Sequence, residues 1–220
     1  MGKDQHGINP EILNDYSLQI KEIVELGVEV GIVIGGGNIY RGLKGINVGF
    51  DRVKGDYMGM LATVINALAL QSSLECLGVR SRVMTAVAME PFAEPFSKFR
   101  IENAMSKKEV VIFGAGTGNP FFTTDTAASL RAVEIGADLL LKGTRVDGVF
   151  TSDPEKNKDA VKFDSLSFDE AYKKNLNVMD LTSFTMCKEN NLPVIVFNIN
   201  VKGNLLKIVQ GEKIGTLITK

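Results

Sequence analysis

The apolar run Val110-Val111-Ile112-Phe113 passes directly into Gly114-Ala115-Gly116-Thr117-Gly118-Asn119-Pro120-Phe121-Phe122-Thr123-Thr124-Asp125, and Ala127-Ala128-Ser129-Leu130-Arg131-Ala132 follows. This order reads as a buried strand, a glycine-rich turn and a helix start. Three glycines within five residues let the backbone approach a ligand closely or take positive φ. Thr123, Thr124 and Asp125 sit where N-cap and first-turn residues belong. Backbone N–H groups at such a helix start suit an anion such as phosphate. A ligand-free turn fits the same residues, but the length and polarity of the loop weigh toward a site.

A second passage has the same logic. Val28–Ile34 reads as a buried strand and ends in Gly35-Gly36-Gly37-Asn38-Ile39-Tyr40-Arg41. It is not a dinucleotide fingerprint, because Tyr40 stands where the third glycine would be, and no Gly-Lys-Ser/Thr occurs to make a Walker loop. Arg41 is close enough to grip a bound anion with its fork; a solvated surface arginine is the equal alternative. Lys142 closes a third apolar run, Asp138–Lys142. Ligands gather beyond the carboxyl ends of parallel strands, yet a lysine there is also common on plain surfaces.

The remaining pattern alternates helix and strand. A helix over 9–26 has Asn9 as N-cap, Pro10 at N1 and Gly27 as stop. A helix over 56–77 is apolar all round: eleven of the fourteen residues from 57 to 70 are apolar or tyrosine. That predicts burial on more than one side, against a core and a subunit interface. Asp56, at its start, reads on these grounds as an N-cap. A strand at 82–87, an irregular helix at 94–105 and a helix at 126–135 come next. Asp147-Gly148 is the turn signal of a hairpin-like excursion over 143–154, and 155–162 is a solvated loop. Ser167-Phe168-Asp169-Glu170 opens a short helix with a capping box. A helix at 179–190, a strand at 193–197, a helix at 204–209 and a strand at 215–219 complete the chain. Without repeats or linkers, 220 residues of this kind predict one α/β domain, a mainly parallel sheet covered on both faces.

Composition excludes several functions. The 25 basic and 26 acidic side chains nearly cancel, and no basic stripe argues for nucleic acid or anionic membrane. His6 is the only histidine, which leaves no His-rich metal site and no Ser-His-Asp triad unless His6 serves. Cys76 and Cys187 stand apart, which predicts two buried thiols in a reduced, cytosolic protein. The polar first twenty residues predict no secretory signal, and no uncharged apolar run reaches about 18 residues.

Taken together, three stretches are far more specific than any one. Ile34-Gly35-Gly36-Gly37-Asn38-Ile39-Tyr40-Arg41-Gly42, the Gly114–Asp125 loop and Leu141-Lys142-Gly143-Thr144-Arg145-Val146-Asp147-Gly148-Val149-Phe150 closely resemble the bacterial UMP kinases of the amino-acid-kinase superfamily. Asp56–Thr63 and Ile214–Ile218 also look like that family, and the resemblance runs the length of the chain. It implies a three-layer α/β/α sandwich with a mainly parallel sheet, and transfer of the ATP γ-phosphoryl group to UMP in pyrimidine nucleotide biosynthesis. Mg²⁺ would travel on the nucleotide.

By the same resemblance, Gly36 and the run Thr117, Gly118, Asn119, Pro120, Phe121, Phe122, Thr123 and Thr124 would bind UMP. Thr117 and Asn119 would lie near uracil and Thr124 near phosphate. Asp56 would hold the ribose hydroxyls. Gly37, Arg41, Thr144, Phe150 and Asp153 match positions that contact ATP, with Phe150 beside adenine. Lys142 would stabilise the transferred phosphoryl, and Asp125 and Asp180 would orient lysines and substrate. No strong general base is needed, because the acceptor is already a phosphate oxygen. The family is typically a cytoplasmic homohexamer built as a trimer of dimers, which the all-apolar helix 56–77 suits. GTP and UTP are its common effectors, the former linked to the turn at Gly2–Gly7.

In one respect the sequence departs from the family, whose members open with a strand carrying Lys-x-Ser-Gly against the ATP phosphates. The sequence here starts at Met1-Gly2-Lys3-Asp4, in the segment that follows that motif. Either Met1 is internal to a longer reading frame or the strand is missing. A chain lacking it is expected to bind UMP poorly and turn over slowly or not at all. Two other functions fit parts of the sequence: an acylphosphate-forming kinase of the same superfamily, against which Thr117–Phe122 argues, and a uridine-nucleotide-binding regulator without efficient transfer.

Overall fold

In the computed structural model, residues 7–40, 49, 51–176 and 178–220 are described. They form two compact units, Met1–Arg131 and Ala132–Lys220.

The first unit begins with α1, Pro10–Glu25. Its start is as the sequence predicts: Asn9 Oδ1 accepts the Ile12 N–H at 3.1 Å, and Pro10 occupies the first turn. Strand β1 is only Gly31–Val33, shorter than the expected 28–34. Helix α2 runs Arg52–Cys76, starting a turn earlier than expected. Its N-cap is Asp51, whose Oδ1 accepts from Lys54 N at 3.0 Å, so Asp56 is not the cap and stands inside the helix. Then come β2 (Ser81–Thr85), β3 (Glu94–Pro95), α3 (Lys98–Ser106) and β4 (Val110–Gly114). The irregular helix expected over 94–105 is thus two elements, because Glu94 and Pro95 pair with Met84 and Thr85 before the helix begins.

The strand order is β1-β4-β2-β3, and every pairing is parallel. Central β4 is buried along its whole length, as a parallel strand covered on both faces should be. Ala67, Leu70 and Leu74 of α2 pack with Val79, Val83, Val110 and Ile112, flanked by Leu13, Ile20 and Val24 of α1. By length and composition α2 is long and apolar enough to cross a membrane. Its buried row Ala62, Val64, Ala67, Leu70 and Leu74 is that of a core helix. Cys76, expected to be buried, is exposed: it lies two residues past buried Leu74, about 200° around the axis.

Helix α4, Thr124–Glu134, carries the point at which the units divide. The second unit holds β5 (Leu140–Thr144), β6 (Ser165–Ser167), α5 (Phe168–Lys173), α6 (Leu181–Glu189), β7 (Val194–Asn198), α7 (Asn204–Val209) and β8 (Thr216–Thr219). Its strand order is β5-β7-β8-β6, antiparallel only between β7 and β8. Phe168 and Phe184 meet edge to face at 5.1 Å within a core that includes Val149, Leu166, Val194, Val196 and Ile218. The capping box is present: Ser167 and Glu170 each accept the other's backbone N–H. Asp147-Gly148, however, is not the apex of a hairpin. Thr151 N donates to Val161 O and Phe163 N to Val149 O, so residues 149–151 run antiparallel to 161–163 and the chain reverses farther on. Gly148 instead lies against β8, where a Cβ would come 2.4 Å from Thr216 Oγ1.

Candidate active site

In the first unit, the two glycine turns meet. Beyond β1, the Gly36 carbonyl accepts from Ile39 N and Tyr40 N, both at 2.9 Å, and closes the first turn. A Cβ at Gly36 would stand 2.7 Å from Ala62 Cβ, 2.8 Å from Gly59 O and 2.9 Å from Thr63 N. Only glycine fits this approach to α2. A Cβ on Gly35 would lie 3.4 Å from Thr124 Oγ1, so the first turn touches the start of α4.

Beyond β4, Ala115 and Gly116 are both left-handed, at φ 61° and 57°. Ala115 is fully buried and gives its N–H to Thr63 Oγ1 at 2.8 Å. Thr117 and Asn119 hold each other: Asn119 N donates to Thr117 Oγ1 at 3.2 Å, and Asn119 Nδ2 to Thr117 O at 3.4 Å. Gly118 passes against Ala86, 3.2 Å from where its Cβ would be. Pro120 and Phe121 follow, and Phe121 and Phe122 are exposed at 63% and 49%. Thr123 Oγ1 accepts from Thr126 N at 3.2 Å, which makes it the cap of α4, and Asp125 is in the first turn, both as expected.

Asp56, one turn into α2, reaches this loop. Its Oδ2 accepts the Phe121 N–H at 2.8 Å and Arg52 Nε at 2.9 Å. The Arg52 guanidinium lies 5.6 Å from the centre of the Phe121 ring. Gly36 therefore lies against the N-terminal half of α2, Asp56 of that half holds the loop at Phe121, and Gly118 lies against Ala86. Gly37 is in the same turn as Gly36. Arg41, Lys3 and His6 lie outside the described residues.

In the second unit, Lys142 is the middle residue of β5 rather than its end, because Gly143 and Thr144 continue the pairing opposite Phe197 and Asn198. Lys142 Nζ donates to Val178 O at 2.8 Å. Thr144 Oγ1 accepts from Val146 N at 3.2 Å and is 2.7 Å from Val146 O, which fixes the chain leaving the strand. Phe150 bridges Lys162 across the excursion. Asp153 Oδ1 accepts from Glu155 N at 3.0 Å, and its other oxygen is 3.5 Å from Lys156 Nζ. Asp180 is the N-cap of α6, accepting from Ser183 N at 3.0 Å. That local duty was not anticipated.

Four residues of the first unit escaped sequence reasoning: Arg52, Thr63, Asn38 and Asn66. Asn66 Nδ2 donates to Gly35 O at 2.7 Å and to Asn38 Oδ1 at 2.6 Å. Asn38 Nδ2 donates to Asn66 Oδ1 at 3.1 Å and to Gly7 O at 2.8 Å. Thr63 and Asn66 could have been found, since they interrupt an apolar helix.

The model of the amino acid kinase family matches residues 3–198. A uridylate kinase of Phocaeicola vulgatus is 61% identical over 218 residues, 99% of this chain and 92% of the relative. That of Porphyromonas gingivalis is 58% identical over 219 residues, again 92% of the relative. Among solved structures, a UMP kinase from Bacillus anthracis superposes with a TM-score of 0.95 at 40% identity, covering 97% of this chain and 88% of that one. A uridylate kinase from Archaeoglobus fulgidus gives 0.76 at 28% identity, covering 96% and 94%. Both the family match and these relatives span far more than the glycine turns, so the chain belongs to the amino acid kinase family, with the fold and the kinship of its uridylate kinases.

Proposed function

We propose that the chain transfers the γ-phosphoryl group of ATP to UMP, giving UDP and ADP, and so serves pyrimidine nucleotide biosynthesis in the cytoplasm. One observation supports the reading beyond the relatives' names: Gly36 lies against α2, Asp56 of α2 accepts the Phe121 N–H, and Gly35 lies beside Thr124, so the two glycine turns approach each other. On this reading Thr117 and Asn119 meet uracil, Asp56 the ribose, and Thr124 with the Gly36 turn the phosphate. Gly37, Arg41, Thr144, Phe150 and Asp153 serve ATP, and Mg²⁺ enters on its phosphates. Phosphoryl transfer asks the protein for alignment and positive charge more than covalent chemistry. Lys142 supplies that charge to the transferred group, and Asp125 and Asp180 orient the charged partners.

The test is coupled ADP release with UMP, CMP and dCMP as acceptors. UMP-dependent release well above the other two is expected; equal rates for all three, or faster release with CMP or dCMP, refute the assignment. The relatives' kinase names favour transfer over a purely regulatory role.

The assembly proposed is a homohexamer built as a trimer of dimers. Tyr57, Leu61 and Ile65 recur at four-residue spacing on α2 and are 49%, 51% and 48% exposed, an apolar stripe that a second copy would cover. Light scattering on Leu61→Asp is expected to give smaller species than the parent chain. GTP and UTP are the effectors the family suggests; of the Gly2–Gly7 turn only Gly7 is among the described residues.

A further inference from the structure

We propose that Thr63 and Asn66 are positioning residues, a pair of clamps that set the separation of the two glycine turns. The inference rests on the UMP reading of those turns. Thr63 and Asn66 are three residues apart on α2, hence neighbours on one face, and are 7% and 6% exposed. Each holds a different turn. The Thr63 hydroxyl donates to Met60 O at 2.7 Å, which commits its proton and leaves a lone pair for the Ala115 N–H at 2.8 Å. Ala115 is a non-glycine residue with φ of 61°, so its N–H has a direction that only the surrounding structure imposes. The backbone that leaves this anchor is Gly116 to Thr124.

Asn66 works on the other side. One amide group satisfies the Gly35 carbonyl and both interlocks with and is answered by Asn38. Asn38 in turn exchanges two bonds with Gly7: its Nδ2 donates to Gly7 O, and its carbonyl accepts Gly7 N, each at 2.8 Å. The turn that carries Gly36 and Gly37 is thus fastened at both ends to one buried side chain. The bonds of both clamps go to Met60, Ala115, Gly35 and Asn38, not to Thr117–Phe122. Their effect on a ligand passes through the backbone they hold, and a displacement near 1 Å in such a frame can cost about a hundredfold.

The two clamps differ in what they should disturb. Thr63→Val keeps the shape of threonine and deletes the acceptor of a buried N–H; only the loop of the UMP residues is released. Asn66→Asp keeps the shape of asparagine and deletes both donors; the turn of Gly36 and Gly37 is released, and both nucleotides feel it. Calorimetric titration with UMP and, separately, with MgATP reads the split. Thr63→Val is expected to weaken UMP about ten- to a hundredfold with MgATP within about twofold, and Thr63→Ser to restore UMP. Asn66→Asp is expected to weaken both by about tenfold or more. A simple packing role would lower thermal stability in all variants and leave the UMP-to-ATP ratio of Thr63→Val unchanged, which overturns the proposal. If Thr63→Val does not fold, Thr63→Ala is read in the same titrations and its ratio decides; Asn66→Ser stands in for Asn66→Asp, where unchanged affinity for both nucleotides overturns the second clamp. Thr124→Ala separates the two layers of inference. If it leaves UMP affinity intact, the UMP site itself has been misplaced. If it weakens UMP while Thr63→Val does not, the clamp alone is wrong.

Discussion

Replacing Gly36 with alanine adds one methyl group where the structure has no room for it. The Cβ would meet Ala62 Cβ at 2.7 Å, Gly59 O at 2.8 Å and Thr63 N at 2.9 Å. Two of the three are backbone atoms of a hydrogen-bonded helix, so no rotamer change relieves the overlap. To reach an ordinary contact of 3.4 Å the turn must withdraw from α2 by about 0.7 Å. Overpacking of this kind costs about 1–3 kcal/mol, and the rigid neighbours argue for the upper half, about 2–3 kcal/mol. For a chain of 220 residues that is a fall of roughly 5–10 °C in Tm. The same withdrawal shifts the backbone proposed to face the phosphate, so on that proposal UMP affinity should fall by about ten- to a hundredfold. Gly59→Ala is the matched control: it adds a methyl group on the facing helix, at a Cβ position with nothing within 4 Å. A helical glycine replaced by alanine gains about 0.5–1 kcal/mol, so the two substitutions should have opposite signs by differential scanning fluorimetry. If Gly36→Ala leaves both Tm and UMP affinity unchanged, the close approach of turn and helix is wrong.

Three further outcomes follow from single contacts. Asp56→Asn keeps an oxygen for the Phe121 N–H but loses the charge shared with Arg52 and proposed for the ribose; stability should change by about 1 kcal/mol or less, while UMP affinity falls at least about tenfold in titration. Lys142→Met should lower kcat by about 10²–10³ in the coupled assay while the loss of the bond to Val178 O costs only about 1 kcal/mol, and a mutant at parental kcat would remove Lys142 from the chemistry. Glu109 is buried and bonded to Arg82, with Arg80 3.3 Å away; the Arg82 hydrogen bond holds its carboxyl below the ordinary carboxylate range. A depressed folded value stabilises above the unfolded pKa and ceases to do so as pH falls through the folded one. Glu109→Gln should therefore cost about 1–2 kcal/mol in urea unfolding at pH 7, with the gap to the parent narrowing below about pH 4.5; a gap constant with pH would refute the ion pair's part.

What the sequence made legible was what is local. Val110–Phe113 followed by glycines and a threonine cap contains strand, turn and helix start within one stretch, and all three are found there. Asn9-Pro10 and Ser167–Glu170 are likewise complete signals within four residues. Strand β6 was invisible because Ser165-Leu166-Ser167 offers one apolar residue in three; it exists through pairing with Leu217–Thr219, fifty residues on. The Asp147-Gly148 signal misled for the same reason. The glycine there answers to Thr216 across the sheet, not to a tight turn. Asp56 reads as a cap in the sequence because it precedes the apolar stretch, yet Arg52-Val53-Lys54-Gly55 already belong to the helix, and an N-cap carboxylate at Asp51 needs nothing apolar behind it.

The site had one further signal that pattern counting discarded. Of residues 57–70, three are neither apolar nor tyrosine: Gly59, Thr63 and Asn66. Read as noise, they only dilute a buried helix. In the fold, all three touch the glycine turns: Gly59 O and Thr63 N bound the space at Gly36, Thr63 Oγ1 holds Ala115, and Asn66 holds Gly35. Each apolar neighbour of α2 can be satisfied by area alone, which fixes burial but not distance. A buried hydrogen bond has a length and a direction, and breaking it leaves a desolvated partner. The polar interruptions of an otherwise apolar helix are therefore the positions at which this fold sets geometry rather than gains burial, and they fall between the two loops proposed to hold UMP.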